Sequence, residues 1–173
     1  MKVLVAVASK HGATREIADE IGNTLRAKLG ERAEVEVLFA ANVATIAGYD
    51  AVVLGSAVYM GHWMTEATDF VHRYQEALRT MPVWMFSSGP VGTPPKPLEE
   101  PLEIGKLRWL AYARGHRVFA GRIDRHRLGL GDRAVVAALR VHDGDYRNWE
   151  EIRSWAATIA TALRRVRERA HTP

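Results

Sequence analysis

Two patterns of apolar residues take turns along this chain. Short runs are apolar at every position, and the stretches between them are apolar only every third or fourth residue. Val3 to Ala8 is such a run, rich in valine, with the length of a strand buried on both faces. Immediately after it, Ile17, Ala18, Ile21, Leu25 and Leu29 share one helical face. Repetition of this alternation predicts strands at Lys2 to Ala8, Val35 to Phe39, Ala51 to Gly55, Val83 to Ser87 and Arg117 to Ile123. It predicts helices at Thr14 to Leu29, Met64 to Arg79, Ile104 to Ala113 and Trp149 to Arg169. In the last of these, Ile152, Ala156, Ile159, Leu163 and Val166 form the apolar face, and arginines and glutamates stand opposite. Strands that alternate with helices in this way imply an α/β fold, a doubly wound five-stranded parallel sheet with helices on both faces.

A chain of 173 residues, 47% apolar, suits one domain spanning 1–173. Two segments exceed a minimal five-stranded unit. The stretch Pro90 to Pro101 holds Pro94, Pro95, Pro97 and Pro101 and is expected to be an extended arm. The segment Asp124 to Tyr146 is expected to be an insertion after the fifth strand, with a short helix that is basic on one face and apolar on the other. Packing on the parent domain is the expectation for that helix, and a membrane surface or acidic substrate is its other reading. With no cysteine there is no disulfide, thiolate nucleophile or iron-sulfur cluster, so any redox chemistry must come from a bound cofactor. The net charge of +4 favours acidic partners, but the arginines are not interleaved with aromatic residues, which argues against nucleic acid. Val3 to Ala8 is too short for a signal-peptide core, and no apolar stretch reaches the roughly 18 residues of a membrane span. The expected location is cytoplasmic, with room for a peripheral contact on the inner face of the membrane.

In a doubly wound sheet the ligand crevice lies at the carboxyl ends of the strands, beside the first strand. Three loops should line it: Ser9 to Thr14, Ser56 to Trp63 and Ser87 to Gly92. The first joins a buried strand to a helix start and combines hydroxyls with a central glycine, the makings of a phosphate cradle. The signature GxxxxGK[ST] is absent, so nucleoside triphosphate hydrolysis lacks its support. GxGxxG is absent too, and the second strand closes on Leu38, Phe39 and Ala40 rather than on a ribose-binding carboxylate, which disfavours NAD. A phospho-accepting receiver would need acidic residues at the strand ends, and here Ser9 and Ser56 stand at the ends of the first and third strands, which rules that reading out. A monophosphate held by hydroxyls and backbone amides is what remains.

The run Ser9-Lys10-His11-Gly12-Ala13-Thr14 resembles the phosphate loop of flavodoxins, which bind FMN. Gly55 to Trp63 (GSAVYMGHW) resembles the second flavin loop of the flavodoxin-type, menaquinone-dependent protoporphyrinogen dehydrogenases. Phe119 to Ile123 (FAGRI) resembles their fifth strand, the basic segment to Arg140 their insertion, and Gly144 to Ile152 (GDYRNWEEI) the entry to their final helix. The resemblance implies FMN as cofactor, a flavodoxin-like strand order 2-1-3-4-5, and no metal. It implies that the Ser9, His11 and Thr14 side chains and the N–H groups of Lys10, His11, Gly12, Ala13 and Thr14 hold the FMN phosphate. Ala57, Val58, Tyr59, Met60 and Gly61 would run along the isoalloxazine ring, Tyr59 or Trp63 would stack on it, and Gly61 would present its backbone to the reactive edge. Ser87, Ser88, Gly89, Val91 and Gly92 would meet its pyrimidine end, with the glycines leaving room for a ring. His62 is the candidate catalytic residue, a proton donor to the reduced flavin. The implied activity is an FMN-dependent oxidoreductase that passes electrons from a porphyrinogen-like molecule to a quinone. The alternatives are an electron carrier whose partner is a redox protein and a binding domain without flavin. Carriers of that family are strongly acidic, whereas this chain is basic.

Overall fold

Every residue of Val3–Ala8 is buried, because the first strand lies in the middle of a sheet covered on both faces. The computed structural model describes residues 1–89, 100–123 and 143–170. Along it run β1 (Lys2–Ala8), α1 (Ala13–Leu29), β2 (Glu34–Phe39), a 3-10 turn (Ala40–Asn42), β3 (Ala51–Tyr59), β4 (His62–Trp63), α2 (Thr65–Leu78) and β5 (Val83–Ser88). They are followed by α3 (Ile104–Leu110), β6 (Gly115–Phe119), β7 (Arg122–Ile123), β8 (Gly144–Asp145) and α4 (Trp149–Ala170). The main sheet is parallel in the order β2-β1-β3-β5-β6, which is the expected 2-1-3-4-5 counted over the parallel strands alone.

Because side chains of a strand alternate in direction, β1 feeds two cores. Val3, Val5 and Val7 face α1 and α4, where Ile17, Ile21, Leu25, Ile152, Ala156, Ile159 and Leu163 pack. Leu4, Ala6 and Ala8 face α2 and α3, with Phe70, Val71, Leu78, Ile104 and Leu107. Trp84 belongs to the first of these cores, as its place inside a strand implies.

Three elements differ from expectation. β3 continues four residues past Gly55 and turns back at once as β4, making a hairpin where an open loop was expected. Both central residues, Met60 (φ 50°) and Gly61 (φ 83°), have the left-handed backbone of a tight two-residue hairpin turn. The fifth parallel strand starts earlier and stops at Phe119, where β5 runs out of pairing partners: Ser88 is opposite Phe119 and the Gly89 N–H closes on the Phe119 carbonyl at 3.3 Å. The chain then leaves the sheet, and Arg122–Ile123 pairs antiparallel with Gly144–Asp145. α3 ends at Leu110, three residues short of expectation, because Tyr112 takes a left-handed φ of 48° and the Ala113 N–H closes back on the Arg108 carbonyl at 2.9 Å. The proline-rich stretch up to residue 99 and residues 124–142 of the expected insertion, with its short helix, lie outside the described residues. Among the described residues no helix is long and apolar enough to cross a membrane.

Candidate functional site

β1 delivers Ser9 to Thr14 to the carboxyl edge of the sheet, and Gly12 makes the turn into α1. Its φ of 87° is a left-handed conformation that a side chain strains, and it caps the helix from there. The first amides of a helix have no acceptor within it, and a left-handed residue beside helical ones forms a concave nest of N–H groups. Ser9 Oγ accepts from the Arg15 N–H at 3.3 Å, bracing the loop across its mouth. Thr14 is only 3% exposed. This donor set, backbone N–H groups with two hydroxyls at the positive end of a helix, fits a monophosphate. Of the two cations at this turn, Arg15, in the first turn of α1, pairs with Asp19 at 2.9 Å and lies over the Phe39 ring at 4.9 Å. Lys10 instead places Nζ 5.0 Å from the centre of the Tyr59 ring, and the His11 ring lies 6.4 Å from the same ring. Tyr59 is therefore where the first and second loops meet.

The hairpin carries Ala57, Val58 and Tyr59 out on one strand and His62 back on the other. Met60 at its tip is 90% exposed. A residue far along the chain holds this tip: Glu103 accepts from the Trp63 N–H at 2.6 Å and meets His62 Nδ1 at 3.0 Å. The Leu102 N–H donates to the Gly61 carbonyl at 3.1 Å, which ties the hairpin tip to the chain around residue 102. His62 is 58% exposed at its side chain. A carboxylate only accepts, so the proton of neutral His62 sits on Nδ1 and Nε2 is the basic nitrogen.

Trp63 cannot stack on a ring. It is 4% exposed and its Nε1–H donates to Ser87 Oγ at 2.7 Å. Ser87 in turn meets His116 Nε2 at 2.8 Å, and His116 Nδ1 meets Glu100 at 3.0 Å. Since indole N–H only donates and carboxylate only accepts, the line runs Trp63 to Ser87 to His116 to Glu100, with the His116 proton on Nδ1. Burial pushes the His116 imidazole below its ordinary value, more than Glu100 lifts it. The hydroxyls of Ser87 and Ser88 are buried, so the third loop has its backbone to offer. Gly89 is filled from within: a Cβ there would meet the Val58 Cβ at 3.0 Å, so this glycine admits the second loop and not a ring. Val91 and Gly92 lie outside the described residues.

Behind the first loop lies a charge cluster that residue patterns did not reveal. Arg122 donates to both oxygens of Glu16 at 2.9 Å, and Arg147 donates to Glu16 at 2.9 Å, to the Ala13 carbonyl at 3.1 Å and to Asp145 at 2.7 and 2.6 Å. For Glu16, burial would raise the pKa, but the hydrogen bonds from Arg147 and Arg122 together hold it below the usual carboxylate range. Asp145 is held low chiefly by its hydrogen bonds from Arg147. Glu100, Glu103, His116 and Arg147 are remote in sequence from the loops they brace, and only the GDYRNWEEI segment gave a local sign of one of them.

Comparison with known proteins agrees with this architecture. A family model described as a flavodoxin domain matches residues 4–148. Protoporphyrinogen IX dehydrogenase [quinone] of Escherichia coli strain K12 is 25% identical, over 92% of this chain and 95% of its own length. Among solved structures, a flavodoxin from the domain Archaea superposes with a TM-score of 0.63 at 17% identity, covering 95% of this chain and 99% of its own. Oxidised flavodoxin 2 from Bacillus cereus superposes with a TM-score of 0.56 at 22% identity, again over 95% and 99%.

Proposed function

This chain belongs to the flavodoxin domain family, and from that premise we propose that it is an FMN-dependent oxidoreductase that passes electrons from a porphyrinogen-like molecule to a quinone. The family's cofactor is FMN, which supplies two-electron and one-electron chemistry when bound. The observation that carries the finer reading is the likeness to the quinone-linked dehydrogenase across nearly the whole of both chains.

Ser9, His11, Thr14 and the amides from Lys10 to Thr14 hold the phosphate, and Tyr59, which meets Lys10 and His11 of that loop, stacks on the ring. The hairpin Ala57 to Gly61 and the neighbouring backbone of Ser87 to Gly89 line the ring together, and Val91 and Gly92 are proposed contacts on sequence grounds alone. Because Glu103 fixes the hairpin tip, this lining is set before any ligand arrives, which lowers the ordering cost of binding. His62, oriented by Glu103, has Nε2 available to take up or release a proton as electrons move.

The whole chain 1–173 acts as one domain in this reading, with 124–146 as its insertion, and any membrane contact is peripheral. The basic net charge of +4 favours a small acidic substrate over the docking of a basic redox protein. The test is anaerobic incubation of the purified, FMN-loaded protein with protoporphyrinogen and a menaquinone analogue, with porphyrin fluorescence as the readout. Quinone-dependent fluorescence supports the enzyme. Electron exchange with a reductase and acceptor protein alone would make the chain a carrier.

A further inference from the structure

We propose that Arg147 and Arg122 act as positioning residues that keep the first loop receptive to a dianion, and so give the site its preference for a phosphorylated flavin over the same flavin without phosphate. The proposal rests on the FMN reading of that loop and concerns residues outside it.

Glu16 lies in the first turn of α1. A carboxylate there suits the helix dipole, but it occupies the same positive end that a phosphate must use, and the two repel. Among the described residues two guanidiniums meet this charge, Arg122 through both nitrogens and Arg147 through one. The carboxylate is thereby cancelled by side chains from β7 and from the turn between β8 and α4.

Arg147 also acts on the backbone. Its side chain is 2% exposed, held by Asp145 and stacked over Trp149 with the guanidinium 4.4 Å from the ring centre. From this rigid seat it donates to the Ala13 carbonyl at 3.1 Å. In a planar trans peptide the C=O and the following N–H point in opposite directions. Holding the Ala13 carbonyl therefore steadies the Thr14 N–H, which the start of α1 turns toward the loop. A buried charge with so many partners fixes geometry well, because leaving any one of them unpaired is costly.

The two effects separate experimentally. FMN and riboflavin present the same ring system to the walls of the site and differ in the phosphate, so the ratio of their dissociation constants isolates the phosphate contribution. Flavin-free protein is titrated with each, following fluorescence quenching, for wild type, Arg122→Gln, Arg147→Lys, Glu16→Gln and the double variant Glu16→Gln/Arg122→Gln. Thermal melts of the same samples report folding. Arg122→Gln should weaken FMN about five- to thirtyfold and leave riboflavin unchanged, the size of a charge placed at a partly buried helix terminus. Removing Glu16 as well should restore FMN to within about twofold of wild type, since Arg147 and Asp145 then balance each other and no uncancelled charge remains. Arg147→Lys keeps the charge but loses the planar grip and should also lower the ratio. An unchanged ratio in Arg122→Gln, equal loss of both flavins, or no recovery in the double variant each overturns the proposal. If Arg147→Lys does not fold, the Arg122 and Glu16 pair decides the matter. Wild-type protein that binds FMN no better than riboflavin would instead overturn the phosphate assignment of the loop.

Discussion

In the proposed cradle Gly12 supplies a backbone turn and Thr14 a hydroxyl at a helix start. Replacing Gly12 with alanine puts a Cβ on a backbone at φ 87° and should destabilise the fold by about 1–2 kcal/mol, read from urea unfolding. Ser9→Ala and Thr14→Ala should each weaken FMN roughly tenfold, the loss of a hydrogen bond to a charged group, while riboflavin binding holds; equilibrium titration checks both. Ser9→Ala also frees the Arg15 N–H, so it should cost some helix stability that Thr14→Ala does not. Away from the site, Gly55 is a glycine for packing. A Cβ there would stand 2.0 Å from the Phe86 ring, so Gly55→Ala should cost about 1–3 kcal/mol of stability or more.

At the scale of elements, the hairpin and the chain around residues 100–104 form one device. Glu103 accepts from the Trp63 N–H and meets His62, Leu102 grips Gly61, and Glu100 closes the line from Trp63 through Ser87 and His116. Glu103→Ala leaves the Trp63 N–H without its acceptor, at a cost of about 1–3 kcal/mol if water does not replace it. Hydrogen exchange should then quicken at residues 59–64 and stay as it was in α1. Equal change in both elements would show that Glu103 serves the whole fold and not the tip.

For the molecule as a whole, acid should be the destabilising direction, with two separate groups responsible. Burial holds the His116 imidazole low, so below its ordinary value near 6.5 the unfolded chain takes up a proton that the folded chain refuses. Stability is complete above that value and falls as pH drops toward the folded one. Glu16 and Asp145, held low by Arg147 and Arg122, contribute fully above about pH 4 to 5 and lose that contribution as pH falls through their folded values. Thermal midpoints taken from pH 8 down to about pH 2 should decline in two stages, the second below about pH 4, and His116→Gln should flatten the first stage only. What the amino-acid sequence determined unaided was local in origin, namely which runs become the parallel strands and their helices and that Ser9 to Thr14 turns into a helix start, because backbone periodicity and helix-end chemistry depend on near neighbours. Tertiary structure decided the rest. β3 ran on into a hairpin, Trp63 went to the core, Gly89 was filled by Val58, and Glu103, His116, Arg122 and Arg147 became braces of loops lying some thirty to more than a hundred residues away. Such pairings depend on which strand ends lie side by side, and that is settled only when the sheet closes and buried polar groups must find partners.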